Sequence, residues 1–406
     1  MGVRGRSWSV RGVACRGVFH GGMRVLCALS GGVDSAVAAA RLVRDGADVI
    51  AVHYRTGVTA DDAASPAASR SCCGVDDARD ARAVAARLGV PFYVVDVADD
   101  FRRHVLDAFV ADHAAGRTPN PCIECNRAVK FGRLADMATS LGAPAIATGH
   151  YARTAPRTGG GTRLLRALDE RKDQSYVLYG LSQEQLSRAR FPLGDSRKDD
   201  VRDEARALGL RVADKPDSQE LCFVPGGDHR AVLAERAPGL LRDGPIVDER
   251  GRELGRHSGA PGFTIGQRRG LGIAAPAPLH VRHVDVARNT VEVAPRSALL
   301  RSVVHTAKLH WTDVDPARDS TLEPFRVTVR IRHAMPPAAA WLFVEGGDVG
   351  RVEFDEPVFA PAPGQALVAY RDDAVLCGAP IVGSESPGAP IAGRSAASAD
   401  AVRRFP

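Results

Sequence analysis

The chain reads as an α/β protein in which a parallel-sheet domain is followed by two small β-rich, barrel-like domains. Three features predict this. From Met23 to about residue 225, short apolar runs alternate with helical periodicity, the pattern of βαβ units. From about residue 226 the helical period gives way to strand-like runs separated by Gly and Pro turns. The first apolar run, moreover, passes through Ser30-Gly31-Gly32-Val33-Asp34-Ser35 directly into a helical pattern, the layout of a phosphate-holding loop.

Taken in order, residues 1–22 are Gly- and Arg-rich without periodicity, so a disordered extension is expected and Met23 is a candidate initiator. Within 23–225 the pattern predicts strands at 25–29, 48–54, 91–97 and 145–148, and helices at 36–44, 76–88 and 127–141. Gly46 and Gly89 supply helix stops. A central β domain is expected over 226–298 and a second over 299–383, from runs at 279–286, 290–294, 325–332, 349–354 and 366–370. The Ser/Ala/Gly/Pro-rich segment 384–406 reads as a disordered tail.

Composition narrows the function classes. At 406 residues the chain is long enough for two or three domains with real cores, and 45% apolar with 25% charged residues is ordinary for a globular protein. Every Ala/Val/Leu run is interrupted by Arg or Asp, which excludes a membrane span and makes no membrane partner expected. Of the net charge of +6, Arg4, Arg6, Arg11 and Arg16 supply four, so any nucleic-acid footprint must be a local patch. Eight irregularly spaced cysteines do not make a disulfide scaffold and suggest a reducing, cytoplasmic setting.

In the Ser30–Ser35 segment two glycines let backbone approach a ligand, while the helix-start N–H groups and the helix dipole favour an anion. The loop resembles the pyrophosphate-binding loop of ATP pyrophosphatases, which cleave ATP between the α and β phosphates. By itself it does not choose between synthetases that aminate nucleotides and tRNA thiolases.

Thiols provide the second clue. Cys122 and Cys125 lie in a Pro-punctuated loop ahead of the predicted helix bearing Lys130, a setting that favours thiolate at Cys125, and Cys222 follows the loop of Lys215 and Pro216. Three readings remain open for them: a persulfide-carrying or redox pair, a metal or iron–sulfur site, and buried inert cysteines. Cys15, Cys27, Cys72, Cys73 and Cys377 favour the inert reading. Gln267-Arg268-Arg269, in a Gly-flanked turn, is a compact basic knuckle suited to phosphate.

With these residues in hand, the stretch from Met23 to about Val382 closely resembles the tRNA-specific 2-thiouridylases, which replace the 2-oxygen of wobble uridine with sulfur. The markers are the Ser30–Ser35 loop, Thr118-Pro119-Asn120-Pro121 with Cys125-Asn126 and Lys130-Phe131, Ala147-Thr148-Gly149-His150-Tyr151, Lys172-Asp173-Gln174-Ser175-Tyr176, and Thr264-Ile265-Gly266-Gln267-Arg268-Arg269-Gly270-Leu271-Gly272. The resemblance implies an ATP pyrophosphatase domain followed by two β domains that grip tRNA. It implies that Ala28, Leu29, Ser30, Gly31, Gly32, Val33, Asp34, Ser35, Tyr54 and Gly149 hold ATP, with Mg²⁺, that Cys125 is the nucleophile and that Cys222 carries a persulfide. It further implies that Asn120, Pro121 and Cys122 meet the target base, and that His150, Lys172, Asp173, Gln174, Arg332, His333 and Gln365 contact tRNA. The expected tRNAs are those for Lys, Glu and Gln, and the expected sulfur donor is a cysteine desulfurase or a sulfur-relay protein. A Cys125–Cys222 disulfide would form during turnover.

One departure bears on mechanism. Many members have Asp where this chain has Cys122, and members with Cys there resemble a branch in which Cys122, Cys125 and Cys222 hold an iron–sulfur cluster. Three further activities compete with 2-thiolation for the same phosphate loop and thiols: a 4-thiouridine synthase, an amidotransferase-coupled synthetase, and a non-catalytic tRNA-binding sulfur carrier.

Overall fold

The structure, a computed structural model, describes residues 22–57, 75–217, 221–224, 227–313 and 324–387. The expected extension before Gly22, most of the expected tail, and Cys15, Cys72 and Cys73 lie outside the described residues. The chain divides into two compact units. The first holds the described residues up to 105, together with 122–227 and 373–375, and the second holds 106–121, 228–372 and those from 376 onward.

The first unit is built on a parallel sheet. Its strands are β1 (Arg24–Ala28), β2 (Asp48–Arg55), β3 (Phe92–Asp96) and β4 (Ala145–Ala147). A hairpin, β5 (Arg153–Pro156) and β6 (Thr162–Leu165), precedes β7 (Ala189–Arg190). The sheet order is β3-β2-β1-β4-β7, with Leu26 opposite Ile50 and Ile146. Val25, Leu26 and Cys27 are wholly buried, as a strand covered on both faces requires.

On one face Val25, Cys27, Val49, Ala51, Ala145 and Ala147 pack against the helices α1 (Val33–Arg44), α2 (Val75–Leu88) and Lys198–Ala207. Small side chains in α1, Ala36, Ala38 and Ala39, let it close on the sheet, and Arg41 and Arg44 in its last turn complement the helix dipole. Arg41 also ties α1 to the helix Lys198–Ala207 through Glu204 at 2.6 Å. Tyr54 of β2 donates its hydroxyl to the Lys130 carbonyl at 3.0 Å.

Several boundaries differ from the sequence expectation. The helix expected at 127–141 starts at Pro121, a residue whose missing N–H suits a first helical position. It widens to π geometry over Cys125–Arg133 and ends as Leu134–Ser140. Helical turns at Ala98–Phe101, Arg102–Leu106 and Asp107–Ala114, and the helix Lys198–Ala207, were not read from the pattern, the last because its Asp- and Arg-rich sequence holds only Val201, Ala205 and Ala207 as apolar residues.

The second unit is mostly antiparallel. A small sheet of β8 (Gly244–Val247), β9 (Glu253–His257), β10 (Leu279–Asp285) and β11 (Thr290–Pro295) runs β10-β11-β8-β9 around Ile246, Val281, Val291 and Val293. Next come β12 (Leu300–Lys308), β13 (His310–Trp311), β14 (Phe325–Arg330), β15 (Ala338–Glu345), β16 (Val349–Phe359), β17 (Ala366–Arg371) and β18 (Ala374–Glu385). The order β12-β16-β15-β14-β17-β18 closes on itself where β18 pairs back with β12. Closure removes the exposed edges and encloses Val304, Val327, Val329, Leu342, Leu367 and Leu376. β18 continues into the segment expected as tail, because Glu385 pairs with Val303 and its carboxylate meets His305 Nε2 at 2.7 Å.

Candidate functional site

The strand order fixes where a ligand can sit. From β1 the chain moves outward to β2 and β3, then crosses to β4 on the opposite side of β1, so the connections diverge at the carboxyl ends of β1 and β4. That switch point is where open parallel sheets bind ligands. Ser30-Gly31-Gly32 leaves β1 there and enters α1, whose first-turn N–H groups have no partner within the helix. From β4 come Thr148, Gly149 and His150.

Two glycines make the crevice possible. Gly31 has φ +79°, and a Cβ there would lie 2.4 Å from the Asp77 carbonyl oxygen. Gly149 passes so close to the start of α1 that a Cβ would lie 2.6 Å from the Ser35 nitrogen. Ser35 fastens the loop: its hydroxyl accepts from the Ser30 N–H at 3.1 Å and donates to the Gly32 carbonyl at 3.0 Å. Ser30 Oγ, exposed, lies 3.1 Å from Ser35 Oγ.

A charge network surrounds Asp34. Lys198 Nζ lies 2.7 Å from both Asp34 carboxylate oxygens and 2.9 Å from Asp217 Oδ1. The Tyr151 hydroxyl donates to Asp34 at 2.9 Å, and burial together with Asp34 pushes its pKa up, so it stays a neutral donor. Asp217 also receives Lys172 and Arg202, each at 2.6 Å. Burial pushes the Asp217 carboxyl up, but the ammonium groups of Lys172 and Lys198 outweigh it and hold the pKa at about 2. On the other side of the loop, Lys215 Nζ donates to the Gly31 carbonyl at 3.1 Å and pairs with Asp77 and Asp80 at 2.6 Å. These partners, Lys198 and Asp217 above all, were not singled out from the sequence. The usable signal was Asp34, a carboxylate at a helix start meant for an anion, which calls for a nearby cation.

The described cysteines fall into two groups. Cys27 and Cys377 are fully buried, and burial pushes both thiols up, Cys27 to about 12, so neither is a nucleophile. Cys122, Cys125 and Cys222 are half-buried thiols outside any disulfide. Cys122 lies in the first turn of the helix starting at Pro121, and Cys125 opens its π segment. Beside Cys222, Phe223 packs edge-on against Phe101 at 5.8 Å. The turn Ala98–Phe101 packs on Cys125–Arg133, with Asp100 pairing Arg133 at 3.0 Å. Both thiol-bearing segments therefore share one neighbour. Among the described residues no three His, Cys, Asp or Glu side chains gather to hold a metal ion.

Several expected tRNA contacts are engaged internally. Asp173 is 2% exposed, and its carboxylate accepts from the Ala167 and Ser175 N–H groups and the Ser175 hydroxyl. Gln174 Oε1 accepts from the Tyr151 N–H at 2.9 Å. His150 is buried with Nδ1 2.8 Å from Thr148 Oγ1, and burial, aided by Lys130, holds its pKa well below the usual value, so the ring is neutral. Lys172 is half-buried against Asp217.

In the second unit, Arg332 donates to the carbonyls of Ile265 at 2.9 Å and Ala360 at 2.7 Å, clamping the turn at Gly266. Gln365 Nε2 donates to the Thr118 carbonyl at 2.9 Å, and the Thr118 N–H donates to the Pro363 carbonyl at 2.8 Å, fixing the segment that leads into half-buried Asn120 and buried Pro121. His333, Arg268 and Arg269 are exposed.

Comparison with known proteins agrees with this architecture. Residues 23–226 match the tRNA methyl transferase HUP domain, 231–295 the tRNA methyl transferase PRC-barrel domain, and 301–381 the aminomethyltransferase beta-barrel domain. The tRNA-specific 2-thiouridylase MnmA of Methylobacterium sp. (strain 4-46) is 46% identical over 351 residues, covering 86% of this chain and 91% of the relative. The MnmA proteins of Chloroflexus aurantiacus (strain ATCC 29366 / DSM 635 / J-10-fl) and Cutibacterium acnes (strain DSM 16379 / KPA171202) are each 45% identical, over 87% and 90% of this chain and 97% and 98% of theirs. The chain belongs to the tRNA-specific 2-thiouridylase family. As a member of that family it carries the parallel-sheet nucleotide domain followed by β-barrel domains. Among the described residues no helix is long and apolar enough to cross a membrane.

Two expectations follow. Gly31→Ala forces a non-glycine residue into the left-handed region at about 1–2 kcal/mol and drives its methyl into Asp77, so ATP affinity measured by calorimetry is expected to fall about tenfold or more; unchanged affinity contradicts the loop geometry. Asp217 has a folded pKa below its unfolded value near 3.9, so its pairing stabilises the protein above that value and is lost as pH falls toward about 2. Denaturant unfolding is expected to show Asp217→Asn less stable than wild type at pH 7, with the gap closing between about pH 4 and pH 2. A gap independent of pH contradicts the pairing.

Proposed function

We infer that this protein is an ATP-dependent tRNA uridine 2-sulfurtransferase acting on the wobble position of the anticodon. The observation that carries the reading is the phosphate loop at the β1/β4 switch point in the same unit as two half-buried thiols, Cys125 and Cys222, whose segments share the Phe101 turn as a neighbour.

A uridine 2-carbonyl is a weak electrophile with no usable leaving group. Its oxygen therefore attacks the α-phosphorus of ATP, the α–β bridging bond breaks, and pyrophosphate departs toward the N–H groups at the start of α1. Magnesium bound with the nucleotide would neutralise phosphate charge beside Asp34, whose carboxylate Lys198 and Tyr151 share. Ala28, Leu29, Tyr54 and Gly149 are the further proposed contacts for ATP, Gly149 lying where a Cβ would be 2.6 Å from the Ser35 nitrogen.

Sulfur arrives as a persulfide on Cys222, loaded by a cysteine desulfurase or relay protein. The terminal sulfur attacks C2 and AMP leaves with the former 2-oxygen. Cys125 thiolate then attacks Cys222 Sγ, releasing the 2-thiocarbonyl and leaving a Cys125–Cys222 disulfide that a dithiol reductant opens with two electrons. The base enters from an anticodon loop, where it can be unstacked. Asn120, Pro121 and Cys122 are the proposed contacts for it, and Lys172, Gln174, His333, Arg268 and Arg269 the proposed contacts for the RNA. Asp173, His150, Arg332 and Gln365 serve tRNA by fixing the loops that meet it. The expected substrates are the tRNAs for Lys, Glu and Gln.

Cys125→Ser and Cys222→Ser are each expected to abolish 2-thiouridine formation, followed by mass analysis of the tRNA, while ATP affinity stays within about twofold of wild type. Normal thiolation by either variant contradicts the assignment.

A further inference from the structure

In the second unit, the segment that leads into β10 folds round a cavity of about 380 Å³, a size that suits a small ligand or one unit of a larger one. Its inner wall is anchored in the core. Leu271 is buried, and Ile273 and Leu279 pack on Ile246, Val281 and Val291. Pro276 and Pro278 stiffen the exposed outer wall. At Gly272, with φ +65°, a Cβ would meet nothing within 4 Å, so no side chain crowds the space there.

The basic turn beside the cavity is also built in advance. The Gly266 N–H donates to the Val281 carbonyl at 2.7 Å, and the Val281 N–H donates to the Gln267 carbonyl at 2.9 Å. Gln267 closes the turn, accepting from the Thr264 N–H at 3.1 Å and donating to the Arg269 carbonyl at 2.9 Å. Arg268 lines the cavity and Arg269 follows it, both exposed. Along the same small sheet Arg252, Arg256, Arg282 and Arg288 are each paired with a carboxylate, whereas no ion pair among the described residues takes Arg268 or Arg269. The sequence from Leu254 to Val284 holds no Asp or Glu. Two uncancelled guanidinium groups thus stand at a preformed, neutral-walled cavity, which calls for an anion carried next to a compact, uncharged group.

A nucleotide offers both in one unit: a flat base with polar edges, and a phosphate beside it. An acidic side chain offers only the charge. We propose that the cavity between Arg268 and Leu279 is a binding site for one unstacked nucleotide of the bound RNA, with its base inside the cavity and its phosphate on Arg268 and Arg269. The proposal rests on the reading of this protein as one that acts on tRNA. It adds a second point at which a base is taken out of the stack, separate from the target uridine.

The test fills the cavity without adding charge or an aromatic platform. Wild type, the double variant Ala275→Leu with Ala277→Leu, and Arg268→Ala are compared for affinity to unmodified tRNA at several salt concentrations, with ATP affinity measured alongside. The filled variant is expected to bind tRNA about 5- to 100-fold more weakly, the loss of one stacked base, with the salt dependence unchanged and ATP affinity within about twofold. Arg268→Ala is expected to weaken binding and to lower the slope of log affinity against log salt by about 0.7–1, one phosphate contact. Wild-type tRNA affinity in the filled variant overturns the proposal. So does a filled variant that binds tRNA normally but no longer takes sulfur from its donor, since the cavity would then serve a protein partner. If the filled variant does not fold, the structure of the wild type with tRNA decides: a base inside the cavity supports the proposal, and no nucleotide within about 5 Å of Gly272 overturns it. Failure of the wild type to bind tRNA at all is a different result, which removes the tRNA reading and the proposal with it.

Discussion

The close approach of Gly149 to the first turn of α1 is the constraint on which the first unit depends. A parallel sheet whose order reverses direction at β1 leaves a gap between the loops after β1 and β4, and only a residue without a side chain lets the backbone after β4 lie against Asp34 and Ser35. That contact brings the loop after β4 against the first turn of α1, beside N–H groups that have no partner within the helix. The Ser30–Ser35 hydroxyl bonds then hold the loop in one shape before any ligand arrives. The π segment from Cys125 is reached by the sheet through Tyr54, which ties β2 to the Lys130 carbonyl.

Charge balance follows from the same geometry. Around the phosphate loop the carboxylates Asp34, Asp77, Asp80 and Asp217 balance the cations gathered there by pairing with Lys198, Lys215 and Lys172. Buried pairs of this kind contribute little net stability but specify an arrangement strongly, because removing one partner strands the other. The segment that carries Asp217 is thereby registered against the phosphate loop, a few residues before Cys222.

What could be read in the sequence was what is local. The Ser-Gly-Gly-Val-Asp-Ser loop, the strands around Leu26 and Ile50, and the glycine stops are short-range patterns, and they appear in the structure within a few residues of the expected bounds. Lys198 and Asp217 were not legible because their partners are remote: Asp34 lies 164 residues from Lys198, and a lysine in an Asp-rich helix looks like part of a solvated face. Pro121 was read as loop because a proline punctuates a chain as readily as it opens a helix. In the barrel, β15 begins Ala338-Ala339-Ala340, residues with poor strand preference, and is held as a strand by pairing with β14 and β16. Internal duty was equally invisible for Asp173, since a carboxylate that satisfies three donors beneath the surface has the same sequence signature as one that meets RNA.

Which bond of ATP is broken is decisive, because a cradle at the head of α1 built for pyrophosphate has no purpose if only the terminal phosphate leaves. The direct measurement is the product ratio when the purified protein, with a persulfide donor and a reductant, acts on unmodified tRNA and ATP. About one AMP and one pyrophosphate are expected per 2-thiouridine formed, as cleavage between the α and β phosphates requires. ADP and orthophosphate in step with thiolation would contradict it.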